Sequence, residues 1–155
     1  MHHVLRISEA ANLALHTMVL LAGAGDKRLS VKQIAEVMCA SGAHLAKVLQ
    51  RLAHAGLVDS ARGPRGGFML ARRADEITLL EVLETMDGPF EPQDCLMGGH
   101  TCGEFGCLFG DLLTDMNERI REYLGGRNLE DVKWVYGSPR DRKVWFHEAQ
   151  DHTHR

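Results

Sequence analysis

Residues 30–56 constrain the fold most, because their apolar positions fit two short helices joined by a tight turn. The first helix opens with a capping box, Ser30 to Gln33, in which a serine and a glutamine three positions later bind free N–H groups at the helix start. The second runs from about Ala43 to Ala55 and stops at Gly56, a residue type that commonly ends helices. Their inward-facing positions, spaced as in a helix, are Val31, Ile34, Ala35, Met38, Leu45, Val48, Leu49 and Leu52. This pattern predicts a helix-turn-helix.

The chain then continues as a β-hairpin with arginines in its turn. About Leu57 to Ala61 and Phe68 to Leu70 have the composition of strands. The turn between them reads Arg62-Gly63-Pro64-Arg65-Gly66-Gly67. An ordinary surface hairpin also uses glycine and proline, but it has no need of two arginines at its tip. A hairpin placed directly after the second helix predicts a winged helix that binds DNA.

Charge is distributed unevenly along the sequence. The whole chain has a net charge of −3, yet residues 27–73 carry nine basic side chains against two acidic ones, which leaves that segment at +7 and the remainder at −10. A basic segment in an acidic protein indicates a polyanion partner for that segment.

The predicted DNA contacts follow from this placement. Bases are read from the outer face of the second helix, while other cations meet phosphates. An arginine at a wing tip suits a narrow minor groove. The predicted base contacts are His44, Lys47 and Gln50; the phosphate contacts are Lys32, Arg51 and Arg62; and the minor-groove residue is Arg65.

Further helices flank this region. Ser8 caps a helix reaching about Ala22, whose polar face carries Glu9, Asn12 and His16 and whose second apolar surface needs a cover, a partner subunit being one candidate. Thr78 opens another capping box, for a helix that ends near Gly88. A long helix from about Leu108 to Leu124 carries an apolar stripe that predicts homodimerisation, and one more turn follows over Leu129 to Val135. The stripe comprises Leu108, Leu112, Met116, Ile120, Tyr123 and Leu124.

The predicted fold class is mainly α with a small β-hairpin, a winged helix-turn-helix followed by a long dimerisation helix. The corresponding domains are a DNA-binding domain over 1–88, a cysteine-rich loop over 89–107, the dimerisation helix and following turn over 108–135, and a polar tail over 136–155.

Three of the four cysteines, Cys95, Cys102 and Cys107, fall in one glycine-rich loop with the spacing C-x6-C-x4-C. Three thiolates gathered by a loop are a donor set for an iron–sulfur cluster or a soft metal, with one ligand still to be found. His100 would complete a Cys₃His zinc site, and a redox thiol switch is a third possibility. The remaining cysteine, Cys39, lies beside an apolar stripe and reads as a small core residue.

Other function classes are excluded by missing signals. No apolar run approaches the roughly 20 residues of a membrane span, and the N-terminus has no signal-peptide pattern, so we expect a cytoplasmic protein without membrane contact. The sequence has no phosphate-binding loop, dinucleotide fingerprint or nucleophile elbow, and we therefore expect no enzyme.

With the helix-turn-helix, the wing and the three-cysteine loop together, the sequence from about Leu5 to Val132 resembles the Rrf2 family of winged-helix transcriptional regulators. The resemblance implies a homodimer on palindromic double-stranded promoter DNA. It also implies a [2Fe-2S] or [4Fe-4S] cluster held by Cys95, Cys102 and Cys107, since many members bind one through the matching cysteines.

The fourth ligand is where the sequence departs from known members. Some use a histidine three positions after the last cysteine, and that position here is Gly110. Others use an acidic residue on the first helix of the partner subunit, matching Asn12, alone or with a histidine matching His16. The resemblance therefore makes His16 the candidate fourth ligand, with Glu9 an alternative; a histidine that only packs on its helix is the other interpretation.

The expected function is a regulator, of the repressor type, that senses redox state, nitric oxide or iron–sulfur status. The alternatives are a winged-helix regulator with structural zinc or a thiol switch and, from another class, an iron–sulfur accessory protein.

Overall fold

The computed structural model describes residues 7–92, 95 and 107–136. Within them the chain is mainly helical with one two-stranded antiparallel hairpin, which confirms the predicted fold class. The helices are α1 (Glu9–Ala24), α2 (Val31–Met38), α3 (Gly42–His54), α4 (Leu79–Asp87), α5 (Leu112–Gly125) and α6 (Leu129–Val132); the strands are β1 (Val58–Ala61) and β2 (Gly67–Leu70); and two 3-10 helices cover Ala74–Glu76 and Lys133–Tyr136.

The predicted starts of α1 and α2 are confirmed by their side-chain caps. Ser8 accepts a hydrogen bond from the N–H of Ala11, and Ser30 and Gln33 make both bonds of the capping box. At α4, Thr78 accepts from the N–H of Glu81 as predicted, but the Glu81 carboxylate binds Arg72 instead of the helix start. The ion pair with Arg72 therefore replaces the second hydrogen bond of that capping box.

Helix α1 lies at the centre of the core and packs against α4, α2, α3, β2, α6 and the last 3-10 helix. Leu20, on the second apolar surface of α1, is only 1% exposed. The segment from α6 through Lys133–Tyr136 packs against α1 within the same chain. Helix α1 is therefore covered from within the chain, where the sequence offers a partner subunit as one candidate.

The hairpin is tied to the loop between α1 and α2. Leu29 pairs with Phe68 through two backbone hydrogen bonds of 2.9 and 2.8 Å, which adds a third short segment beside β2. Arg28 donates to the backbone oxygens of Asp59 and Gly67, both at 3.3 Å, and forms an ion pair with the Asp59 carboxylate. The wing is therefore held against the body of the domain from its base.

Gly67 gives a first testable consequence of this packing. Its φ is +133°, and a Cβ there would lie 2.7 Å from the backbone oxygen of Leu29. We expect Gly67→Ala to lower the free energy of unfolding by about 2 kcal/mol or more, because both the strained backbone and the clash act against the folded state. Urea denaturation measures the change. Gly42→Ala is the matched control, since the added Cβ meets only Val31 at 3.9 Å; equal stability of the two variants would contradict the expectation.

Helix α5 starts later than its periodicity predicts. Residues 108–111 form turns instead, with Gly110 at φ +54°, and the helix begins at Leu112. Leu113 and Asn117 are buried, whereas most of the predicted stripe faces outward from the chain; Leu124 is half-buried against the core. Its exposed members include Leu108, Leu112, Met116 and Tyr123.

In the part of the chain that the structure describes, every helix is too short or too polar to cross a membrane.

Candidate functional site

We group five of the predicted DNA-contact residues under the name reading surface: Lys32 on α2, Lys47 and Gln50 on α3, and Arg62 and Arg65 in the wing turn. All five are exposed, and none forms an ion pair with another described residue. Cations without an acidic partner remain available to phosphate oxygens.

Arg51 and His44, also predicted to contact DNA, make contacts inside the protein. The Arg51 guanidinium donates to the backbone oxygens of Thr85 and Met86, at 3.1 and 2.7 Å. These carbonyls belong to the last turn of α4, where helical oxygens lack intrahelical donors. His44 is half-buried, with its Nδ1 3.8 Å from a carboxylate oxygen of Glu9. Arg51 thus joins the predicted recognition helix to α4, while His44 faces α1; their contacts to DNA stay predictions.

A cleft of about 510 Å³ lies between α1, the turn from α2 to α3, and Tyr136; we call it the α1 cleft. Glu9, Asn12 and His16 enter it from α1, all three exposed, so the polar face predicted for this helix does border open space. Cys39 and His44 line the opposite side.

Cys39 is exposed and has a left-handed backbone, φ 49°, at the end of α2. Its interpretation as a small core residue is therefore wrong.

Tyr136 closes one end of the α1 cleft. Its hydroxyl lies 2.7 Å from Nδ1 of His16 and 3.7 Å from the sulfur of Met38, the last residue of α2. Burial raises the pKa of this hydroxyl, so it stays protonated at neutral pH. Sequence reasoning missed this residue, because it stands where the apolar pattern gives way to a polar tail.

Of the loop cysteines, Cys95 and Cys107 fall within the described residues. Cys95 is half-buried; Cys107 is exposed, and its sulfur accepts a hydrogen bond of 3.4 Å from the N–H of Phe109. Cys102 and His100 lie outside the described residues. The described residues alone contain no group of three His, Cys, Asp or Glu side chains that could hold a metal.

The start of the cysteine loop is fastened to both neighbouring helices. The N–H of Phe90 donates to the Glu84 carboxylate of α4 at 2.9 Å, and its carbonyl accepts from Arg121 of α5 at 2.7 Å. The same guanidinium stacks on the Phe90 ring, 5.4 Å from its centroid. A displacement of the loop at this point would therefore act on α4 and α5 together.

Comparison with known proteins gives consistent matches over this whole region. A family model described as Rrf2, iron-dependent transcriptional regulator, matches residues 7–133. The chain is 32% identical over 127 residues to the transcriptional regulator IscR of Xenorhabdus nematophila, covering 81% of this chain and 73% of that protein. It is 31% identical over 131 residues to the transcriptional repressor NsrR of Streptomyces coelicolor, covering 83% and 88%. The solved structure of CymR, the global cysteine regulator of B. subtilis, matches with a TM-score of 0.72 and 29% identity, covering 84% of this chain and 98% of CymR.

Proposed function

Because this chain belongs to the Rrf2 family of transcriptional regulators, we propose that it is a homodimeric repressor whose promoter affinity depends on an iron–sulfur cluster held by Cys95, Cys102 and Cys107. The observation that carries the DNA-binding part is the reading surface, whose cations are exposed and unpaired within the described chain. Residues 1–88 would bind DNA, 89–107 hold the cluster, 108–135 join the subunits, and 136–155 form a tail.

On DNA, the reading surface divides between bases and backbone. Lys47 and Gln50, on the outward face of α3, would reach base edges in the major groove, with His44 beside them if it turns away from Glu9. Lys32 and Arg62 would neutralise phosphates, and so would Arg51 from its position at the end of α4.

Arg65 at the wing turn gives a direct test. We expect Arg65→Ala to weaken promoter binding about tenfold and to reduce the preference for A·T-rich flanks, because an arginine in a narrow minor groove responds to its potential. Electrophoretic mobility shifts at fixed salt, on promoters with altered flanks, measure both effects. Arg72→Ala is the control: it removes the same charge from the same segment, but Arg72 is paired with Glu81. Unchanged affinity and sequence preference in Arg65→Ala would remove the wing from the interface.

The apolar stripe of α5 supports the homodimer. Leu112 is 52% exposed and Tyr123 is 55% exposed, although both occupy the stripe that periodicity predicts to be covered. A second copy of α5 would remove these side chains from water, which is the main driving force of such contacts. The resulting two-fold symmetry matches palindromic DNA, where recognition helices must lie about 34 Å apart, one helical turn.

The loop donor set fits an iron–sulfur cluster in its chemistry. Both described loop cysteines lie outside the buried core, and thiolates are the usual ligands of such clusters. Cys102 would be the third ligand and His16 the fourth. When bound, the cluster supplies a group whose redox state and integrity respond to oxidants, nitric oxide and iron supply.

The chain's own contacts offer a route from the loop to DNA. Phe90 is held by Glu84 of α4 and Arg121 of α5, and the end of α4 receives Arg51 of the recognition helix. A rearranged loop would thus shift α4 against α5, and with it the spacing of the two recognition helices in a dimer.

A second candidate is a regulator without a cluster. The structural similarity to CymR, a cysteine regulator, favours a response through the thiols themselves or through a small molecule. A structural zinc ion on the three cysteines and His100 is the related alternative.

Anaerobic purification with a visible spectrum and iron, sulfide and zinc analysis tests the proposal. Brown protein containing iron and acid-labile sulfide would support it, whereas one zinc per chain or no metal would replace it by the second candidate. Promoter binding that falls steeply with salt separates a regulator from an iron–sulfur accessory protein, because phosphate neutralisation releases counterions.

A further inference from the structure

The hydroxyl of Tyr136 contacts two elements of the fold, and together the two contacts bear on the tautomer of His16. It lies 2.7 Å from Nδ1 of His16 on α1 and 3.7 Å from the sulfur of Met38 at the end of α2. The two rings meet edge to face, with an interplanar angle of 79° and centroids 6.1 Å apart. The contact with His16 therefore passes through the hydroxyl and not through stacked rings.

Counting protons limits the ways in which both contacts can be hydrogen bonds. A phenol carries a single O–H hydrogen, and a thioether sulfur can only accept. Both contacts are hydrogen bonds only when that hydrogen points to Met38; the oxygen then accepts from His16, and Nδ1 carries the imidazole hydrogen. In a neutral ring the other nitrogen, Nε2, then holds a lone pair.

We propose that Tyr136 is a positioning residue that holds His16 in the Nδ1–H tautomer and leaves Nε2 as the nitrogen that binds a metal. Metal-binding histidines commonly donate their second N–H to a fixed acceptor, which sets both tautomer and ring orientation. His16 is exposed on the α1 cleft, where an approaching group finds space. The identity of the metal, iron of the cluster, rests on the proposed function; the tautomer does not.

The first test needs no metal. Long-range ¹H–¹⁵N correlation spectra of the cluster-free full chain report which nitrogen of each neutral histidine is protonated, and His16→Asn assigns the signals. Trp134→Phe is a matched control, because Trp134 lies on the same 3-10 helix as Tyr136, is 72% exposed and donates its Nε1–H to the backbone oxygen of Asp131. We expect His16 as Nδ1–H in the wild type and in Trp134→Phe, and a shift towards Nε2–H in Tyr136→Phe. The same tautomer in all three, or Nε2–H in the wild type, would overturn the positioning role.

The second test addresses the metal. The proteins are reconstituted anaerobically with ferrous iron and sulfide, and cluster loss to a chelator is followed by visible absorption. We expect Tyr136→Phe to lose its cluster about 10–100-fold faster than wild type, and His16→Ala at least as fast, with Trp134→Phe unchanged. Equal rates in all four proteins would overturn the assignment of His16 as ligand. A wild type that takes up neither iron nor sulfide would overturn the proposed function and the ligand assignment together, while the tautomer result, obtained without metal, would stand.

Discussion

A glutamate in place of Met116 is expected to leave the protein monomeric and to weaken promoter binding by about two to three orders of magnitude, or about 3–4 kcal/mol. Met116 lies on the exposed stripe of α5, between Leu112 and Tyr123. In a two-fold dimer a single substitution enters the interface twice, so two carboxylates would lose water without gaining partners. A monomer then reads only half of a palindrome. Analytical ultracentrifugation gives the oligomeric state, and fluorescence anisotropy on promoter DNA gives the affinity.

The matched control for this variant is Thr114→Glu. It adds the same charge to the same helix, at an exposed position one turn before Glu118 on the acidic face. Thr114→Glu is expected to lower the free energy of unfolding by only a few tenths of a kcal/mol, because the new carboxylate repels that of Glu118. A dimeric Met116→Glu protein with wild-type promoter affinity would show that α5 is not the interface.

Replacing Cys107 by alanine is expected to abolish the visible spectrum of the cluster and to change promoter affinity about tenfold or more, the scale of a typical coupling energy between two sites. The loss follows because a cluster needs its thiolates, and the loop offers three. The change in affinity follows because the loop begins at Phe90, which α4 and α5 hold jointly. Anaerobic absorption spectra and anisotropy titrations measure the two effects on one preparation.

Cys39→Ala is the control, since this thiol is exposed but lies at the end of α2, outside the loop. It is expected to keep both the cluster and the affinity of the wild type. If Cys107→Ala keeps the cluster spectrum that the wild type and Cys39→Ala show, Cys107 is excluded as a ligand. Loss of the cluster in Cys107→Ala with unchanged promoter affinity would keep the cofactor but reject its regulatory role.

The parts of the fold that sequence predicts well are those set by neighbouring residues. The caps at Ser8 and Ser30 depend on contacts three residues apart, and the structure confirms both. The hairpin likewise follows from a glycine-rich turn between two short apolar segments. Lys47 and Gln50 point outward because the buried positions of α3 fix the rotation of that helix.

Local sequence patterns do not predict the contacts between distant segments. Glu81 fits a capping box by its spacing, but its carboxylate pairs with Arg72 instead. Arg51 has the periodicity of an outward cation, yet its guanidinium joins α4 across 34 and 35 residues of sequence. Tyr136 is 120 residues from His16, and no spacing rule relates the two. No local sequence pattern predicts these tertiary contacts, which surround the candidate site.

The fastening of the wing through Arg28 and Leu29 bears on how such a protein changes over evolutionary time. The wing and the helix-turn-helix are bound to one core, whereas Lys47 and Gln50 are exposed and lie outside the core of the described residues. If Lys47 and Gln50 read base edges as proposed, substitutions there would alter which promoter is recognised at little cost in stability, because surface changes away from packed features are nearly neutral. A duplicated gene could then acquire a new set of target operons while the rest of the protein stays unchanged.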